Sequence, residues 1–214
     1  MERNTDTISP AALEQALDRL PLSRVHWRVF FLCILMSFLD GFDLQMLALA
    51  VPLMSKEYGL PSEAFGPPLA AAIAGLGVGS MIFGAMGDRF GRRRMIVVAA
   101  PVIGFCTLGV LTAEAPGQLM VWRFLAGLGF GMVVPNALAL VADFMPRHHR
   151  VFGMTCLMAG ISVGAMAAGL VAPFLAGLAG WHGMFLGSGL IDQSQKITVA
   201  ARATAEKKAF GHRS

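Results

Sequence analysis

Gly84-Ala-Met-Gly-Asp88-Arg89-Phe-Gly91-Arg92-Arg93-Arg94 is a short basic segment set between two uncharged runs, Ile73 to Met86 before it and Met95 to Ala113 after it. Runs of this kind read as membrane-spanning helices, because about 20 residues at 1.5 Å rise cross a hydrocarbon core of roughly 30 Å. Basic residues clustered between two spans mark the cytoplasmic side of a membrane. The segment therefore fixes the fold class as all-α and integral to a membrane, and it orients the spans on either side.

The same reading extends outward. Spans are expected over Trp27 to Val51, closed by Pro52, then Pro68 to Met86, Met95 to Thr112, Gln118 to Val141 and Phe152 to Pro173. Ten arginines fall in the N-terminal segment (Arg3, Arg19, Arg24, Arg28), the loop after the second span (Arg89, Arg92, Arg93, Arg94) and the loop after the fourth (Arg147, Arg150). The only base in the intervening loops is Lys56, so alternate loops carry the positive charge and the N-terminus is expected to be cytoplasmic. Composition agrees. The chain is 56% hydrophobic and 14% charged, against roughly 25% charged in soluble domains. Its net charge of +4 sits at helix ends, which argues against a nucleic-acid partner and for a lipid bilayer. Cys33, Cys106 and Cys156 lie singly in apolar runs and read as small buried hydrophobes. No metal or cofactor is expected.

Residues 1–26 form a cytoplasmic segment in which Ser9-Pro10 opens a short amphipathic helix that Pro21 ends. Residues 27–191 form the helical half-domain. Leu175 to Ile191 offers only about 11 residues after the Ala179-Gly180-Trp181 turn, fewer than the roughly 17 a spanning helix needs. A sixth helix is therefore expected to be short and incomplete, followed by a polar basic tail over 192–214. Trp27, Trp122 and Trp181 fall at span ends, as interfacial anchors do.

Two clusters carry charge into the spans. Asp40-Gly-Phe-Asp43-Leu-Gln45 lies mid-span, where a carboxylate costs about 2.5–3.5 kcal/mol and is a functional candidate by default. Asp40 and Asp43 are three apart and share a helix face, which suits residues that load and release a proton. The alternative is a structural pairing with Arg123 or a place facing a water-filled cavity. Arg123 opens Arg123-Phe-Leu-Ala-Gly127-Leu-Gly129-Phe-Gly131-Met-Val-Val-Pro135-Asn136, on a span running opposite to the first. An Asp–Arg pair in the external half is geometrically plausible. The arginine could neutralise the acids, hold a carboxylate substrate bidentately, or snorkel to the interface. Gly75-x-Gly77-x-Gly79 and Gly127-x-Gly129-x-Gly131 look like dinucleotide loops, but no strand precedes either. Gly75/Gly79, Gly127/Gly131 and Gly160/Gly164 follow small-xxx-small spacing, which lets helices approach closely.

The pattern Gly84-x-x-x-Asp88-Arg89-x-Gly91-Arg92-Arg93 resembles the loop between helices 2 and 3 of major facilitator transporters, and the Arg123 segment resembles their helix-4 motif. Asp40-Gly-Phe-Asp43 resembles the helix-1 signature of the aromatic acid:proton symporter branch. The resemblance covers roughly Leu17 to Leu186 and implies the amino-terminal half of a twelve-helix fold. It implies proton-coupled uptake of a benzoate- or hydroxybenzoate-like acid across a bacterial inner membrane; with no nucleophile–base set or metal cluster in the sequence, an enzyme is not expected. By it, Asp40, Asp43, Arg123, Gln45 and Asn136 are the proton-coupling and substrate candidates. By the same resemblance, Gly84, Asp88, Arg89, Gly91, Arg92 and Arg93 are expected to form a gate that holds the inward side closed. A missing carboxy-terminal half, or a second copy, is the implied partner. The alternatives are a truncated, transport-inactive product and a small oligomeric membrane interaction protein.

Overall fold

The computed structural model describes residues 24–145 and 147–211, so the amphipathic helix expected before Pro21 lies outside the described residues. The described chain is helical, with no strand among its residues. Helix α1 is Arg24–Tyr58, α2 is Gly66–Phe90, α3 is Arg92–Gly109, α4 is Pro116–Phe144 and α5 is Arg147–Gly211. Short 3₁₀ turns at Ser62–Phe65 and Val110–Thr112 lead into α2 and end α3. Five segments are long and apolar enough to cross a membrane: Phe30–Tyr58, Ser62–Phe90, Arg92–Thr112, Pro116–Asp143 and His149–Leu178.

Boundaries follow local chemistry. Prolines occupy the first turn of α2 and of α4, where the missing N–H has no intrahelical partner to lose. Gly91 alone separates α2 from α3. Its φ of +96° is open to glycine at little cost, and its N–H closes on Gly87 O at 2.9 Å. Pro52 does not close the first span as expected, because α1 continues six residues past it to Tyr58. An interior proline loses one backbone bond, a cost that membrane helices tolerate where neighbours satisfy the freed group.

The chain reverses at the expected Ala179-Gly180-Trp181 turn. Helical hydrogen bonding runs through α5, but Gly180 has φ +58°. On a straight helix Leu175 and Gly187 would stand about 18 Å apart. Instead, a Cβ on Gly187 would meet Leu175 Cδ1 at 3.0 Å, and one on Gly189 would meet Leu108 of α3 at 3.1 Å. Residues 181–211 thus form a returning arm. The arm is long as a helix, and only its apolar part is short.

Two close seams organise the bundle. Along α2 and α4, a Cβ at Gly75, Gly79, Gly127 or Gly131 would overlap the backbone of the facing helix. Along α1 and α5, Gly41 lies against Ile161 and Gly164 against Phe38 in the same way. All but Gly41 are small-residue positions read from spacing, and with no Cβ they bring helix backbones into contact. One apolar core, around Met95, Ile103, Phe130 and Leu157, fills the end carrying the basic segments. A second, around Met46, Leu119, Trp181 and Phe185, fills the opposite end.

Candidate functional site

The opposite-end core encloses a charge pair. Arg123 Nη1 donates to Asp43 Oδ2 at 2.7 Å, with side chains 1% and 8% exposed. Helix α1 supplies the acid and α4 the base, so the Asp–Arg contact expected from opposed spans forms. An isolated charge at this depth would be costly, and pairing offsets part of that desolvation. Asp40 lies three residues before Asp43 on α1 and is buried at 2%. Gln45 is half-buried on the same helix.

The pair leaves hydrogen-bonding capacity over. Among the described residues, Nε and Nη2 of Arg123 and Oδ1 of Asp43 are buried without a hydrogen-bond partner. Nε–H and Nη2–H lie along one edge of the planar guanidinium and form the fork that grips a carboxylate bidentately. Asp43 and Arg123 also border a pocket about the size of one water, lined by Leu44, Leu76, Gly127 and Phe130. Phe185, on the returning arm, puts its ring centroid 4.6 Å from Arg123 Cζ, within cation–π range.

The expected gating segment forms a second, separate network at the basic end. Arg92 donates to Asp88 Oδ1 through Nε at 3.1 Å and Nη2 at 2.9 Å, to Ala139 O through Nη1 at 2.9 Å, and to Asp143 Oδ2 through Nη1. One guanidinium thereby ties the end of α2 and the start of α3 to the last turns of α4. Asp143 lies at the start of the basic loop after the fourth span, and no spacing rule connects it with Arg92, 51 residues away. Much of that loop is helical, since α5 begins at Arg147. Arg89 and Arg93 are exposed, and Arg89 lies over the Phe90 ring at 5.9 Å. Gly84 packs on the Pro135 ring, where a Cβ would sit at 3.4 Å.

Asn136 stands away from the Asp43–Arg123 pair, 13 residues or about 20 Å along α4 from Arg123. Its Nδ2 donates to Phe83 O at 3.1 Å and Met132 O at 2.7 Å, and its Oδ1 fills the space beside Gly87. It fastens α4 to α2 just inside the Arg92 network. Trp181 is likewise not the interfacial anchor its position suggested. It is 1% exposed and donates from Nε1 to Glu57 Oε2 at 2.7 Å. The helix reversal turns its ring inward, a consequence of the Gly180 turn that span-end position does not reveal.

Comparison with known proteins agrees with this geometry. Residues 33–191 match the family model of the Major Facilitator Superfamily. The chain is 34% identical over 179 residues to the 4-hydroxybenzoate transporter PcaK of Pseudomonas putida, covering 84% of this chain and 40% of that protein. It is 33% identical over 183 residues to the benzoate transport protein of Acinetobacter baylyi, covering 83% and 39%. The chain spans about 40% of the length of these curated relatives. Among solved structures, the proton:xylose symporter XylE superposes with a TM-score of 0.75 at 18% identity, covering 85% of this chain and 45% of that one. The overlap falls on the amino-terminal half of that fold. Helices with membrane-spanning length, opposed charges buried between the first and fourth, and a match across most of the chain lead to one assignment: this is a multi-pass membrane protein belonging to the Major Facilitator Superfamily.

Proposed function

We propose that the chain forms the amino-terminal half of a proton-coupled transporter that takes up an aromatic carboxylate of the benzoate or 4-hydroxybenzoate class. The observation that carries this reading is the Arg123 fork, buried beside Asp43 with its Nε/Nη2 edge unbonded among the described residues. The substrate class is drawn from the names of the relatives. A proton reaching Asp43 neutralises the partner of Arg123 and leaves the guanidinium's charge to a substrate carboxylate at its open Nε/Nη2 edge. Loss of that proton restores the ion pair and favours release. Binding of proton and substrate then support one another through a single arginine. Asp40 is the second protonatable acid on that face, and Gln45 a polar neighbour along α1. Asp88, Arg89, Gly91, Arg92 and Arg93, with Gly84, form the gate on the cytoplasmic side of a bacterial inner membrane. Asn136 supports that gate. Residues 27–191 act as the transmembrane half-domain between a cytoplasmic segment, 1–26, and a basic tail, 192–214.

The working partner is a second helical half. The spans of α2 and α5 are mostly uncovered, and both present large apolar side chains such as Met81 and Phe174. Those faces equally suit a second copy of the chain.

The test is accumulation of radiolabelled benzoate, driven by an imposed pH gradient, in cells expressing the chain joined to the carboxy-terminal half of a benzoate-transporting relative. Accumulation that Arg123→Gln abolishes is expected. Accumulation unaffected by Arg123→Gln, or absent although the protein is inserted, would overturn the reading. Saturable uptake by the 214-residue chain alone would favour the second-copy form.

A further inference from the structure

Phe185 is fully buried, and its ring lies over the guanidinium of Arg123. It stands one helical turn beyond Trp181, whose ring meets it edge-on with centroids 6.1 Å apart at 71°. Trp181 is in turn fixed by its Nε1–H to Glu57 Oε2, near the end of the same helix that carries Asp43. The contacts form a closed circuit from Asp43 up α1 to Glu57, across to Trp181, down one turn to Phe185, onto Arg123, and back to Asp43. The Gly180 reversal starts the returning arm directly at Trp181.

We infer that Phe185 is a positioning residue for Arg123. By lying on the face of the guanidinium, it holds the in-plane Nε/Nη2 edge in the orientation a carboxylate would engage, and the Trp181–Glu57 bond sets where that ring sits. The inference rests on the proposed carboxylate site for its functional half, and on geometry alone for its structural half. The ring restrains the guanidinium plane without using any of its N–H donors. Its electron-rich face attracts the guanidinium from a direction that Asp43 does not occupy. A carboxylate approaching in the plane of the guanidinium does not need the ring to leave. An aliphatic side chain of similar bulk would fill the space yet supply no such restraint.

The test uses the 214-residue chain in lipid nanodiscs. Labelling of Arg123 by phenylglyoxal, read by peptide mass spectrometry, follows the packing, and protection by benzoate follows the carboxylate site. Phe185→Leu is expected to speed labelling of Arg123 by roughly 5- to 30-fold, the factor a desolvated cation–π contact supplies. Phe185→Tyr should stay within about twofold of the unaltered chain, and Trp181→Phe should fall between them, since a well-made hydrogen bond is worth up to roughly tenfold. Benzoate should slow labelling of the unaltered chain, and Phe185→Leu should need correspondingly more benzoate for half-protection. Unchanged labelling in Phe185→Leu would overturn the positioning role. An equal rise at Arg92, which belongs to the separate network, would also overturn it by showing general loosening. Faster labelling at Arg123 with no benzoate protection in any form would overturn the carboxylate site while supporting the packing of Phe185 on Arg123.

Discussion

The side-chain oxygen of Asn136 occupies the space that a Cβ on Gly87 would need. Two residues 49 positions apart thus specify each other. Glycine on α2 lets the asparagine lie flat across the seam, and the asparagine's amide then reaches the carbonyl oxygens of Phe83 and Met132. The contact lies at the inner end of the motif Gly84-x-x-x-Asp88. It explains why a buried polar residue stands so far from the charge pair.

Gly87→Ala should lower stability by about 1–3 kcal/mol, the usual cost of forcing a methyl into a packed site. Asn136→Ala should also destabilise, because it removes two hydrogen bonds. Combined, the two changes should cost less than their sum, since the smaller residue makes room for the methyl. Thermal unfolding of the four forms in detergent measures this, and strict additivity would show that the contact does not couple the helices.

For the buried pair, Arg123→Leu should cost about 3–5 kcal/mol, because Asp43 loses its partner in a buried site. Adding Asp43→Asn should recover much of that loss. The comparison is again a thermal one, and a double variant no more stable than Arg123→Leu would mean that the pair does not hold α1 to α4.

The Arg92 network should behave differently. Asp88 and Asp143 are 67% and 59% exposed, so water screens each contact, and Asp88→Asn or Asp143→Asn alone should cost less than about 1 kcal/mol. Arg92→Lys should cost more than either, since an ammonium cannot present a planar fork to Asp88 while reaching Ala139 O and Asp143. Stability measured at low and high salt tests this, and a loss of several kcal/mol from Asp88→Asn alone would contradict it.

Topology is open to labelling. Glu63 and Arg93 are both exposed, at opposite ends of the bundle, and the native Cys33 and Cys106 are buried. A cysteine at Glu63 should react with a membrane-impermeant reagent in intact cells, and one at Arg93 should react only after permeabilisation. Equal reaction of both before permeabilisation would defeat a topology with the basic segments inside.

Much of this protein was legible before any coordinates. Apolar run length and the spacing of arginines determined five spans, because the cost of dehydrating a backbone or a charge depends on local composition. Small-residue spacing identified the surfaces that become the α2–α4 and α1–α5 seams. The cost of burying a carboxylate singled out Asp40 and Asp43. The opposed directions of two spans made contact between Asp43 and Arg123 plausible.

Tertiary structure decided which partners met. Asp143 on Arg92, Glu57 on Trp181, Phe185 over Arg123 and Asn136 against Gly87 all join residues dozens of positions apart, where no helical period relates one to the other. Tertiary structure also decided that Pro52 lies inside a helix and that Trp181 turns inward. A proline's local cost and a tryptophan's interfacial preference are each small enough for packing across the bundle to override. Periodicity and hydropathy act within a segment, whereas the choice of partner depends on how rigid helices dock, and glycine seams and the Gly180 reversal set that docking in three dimensions.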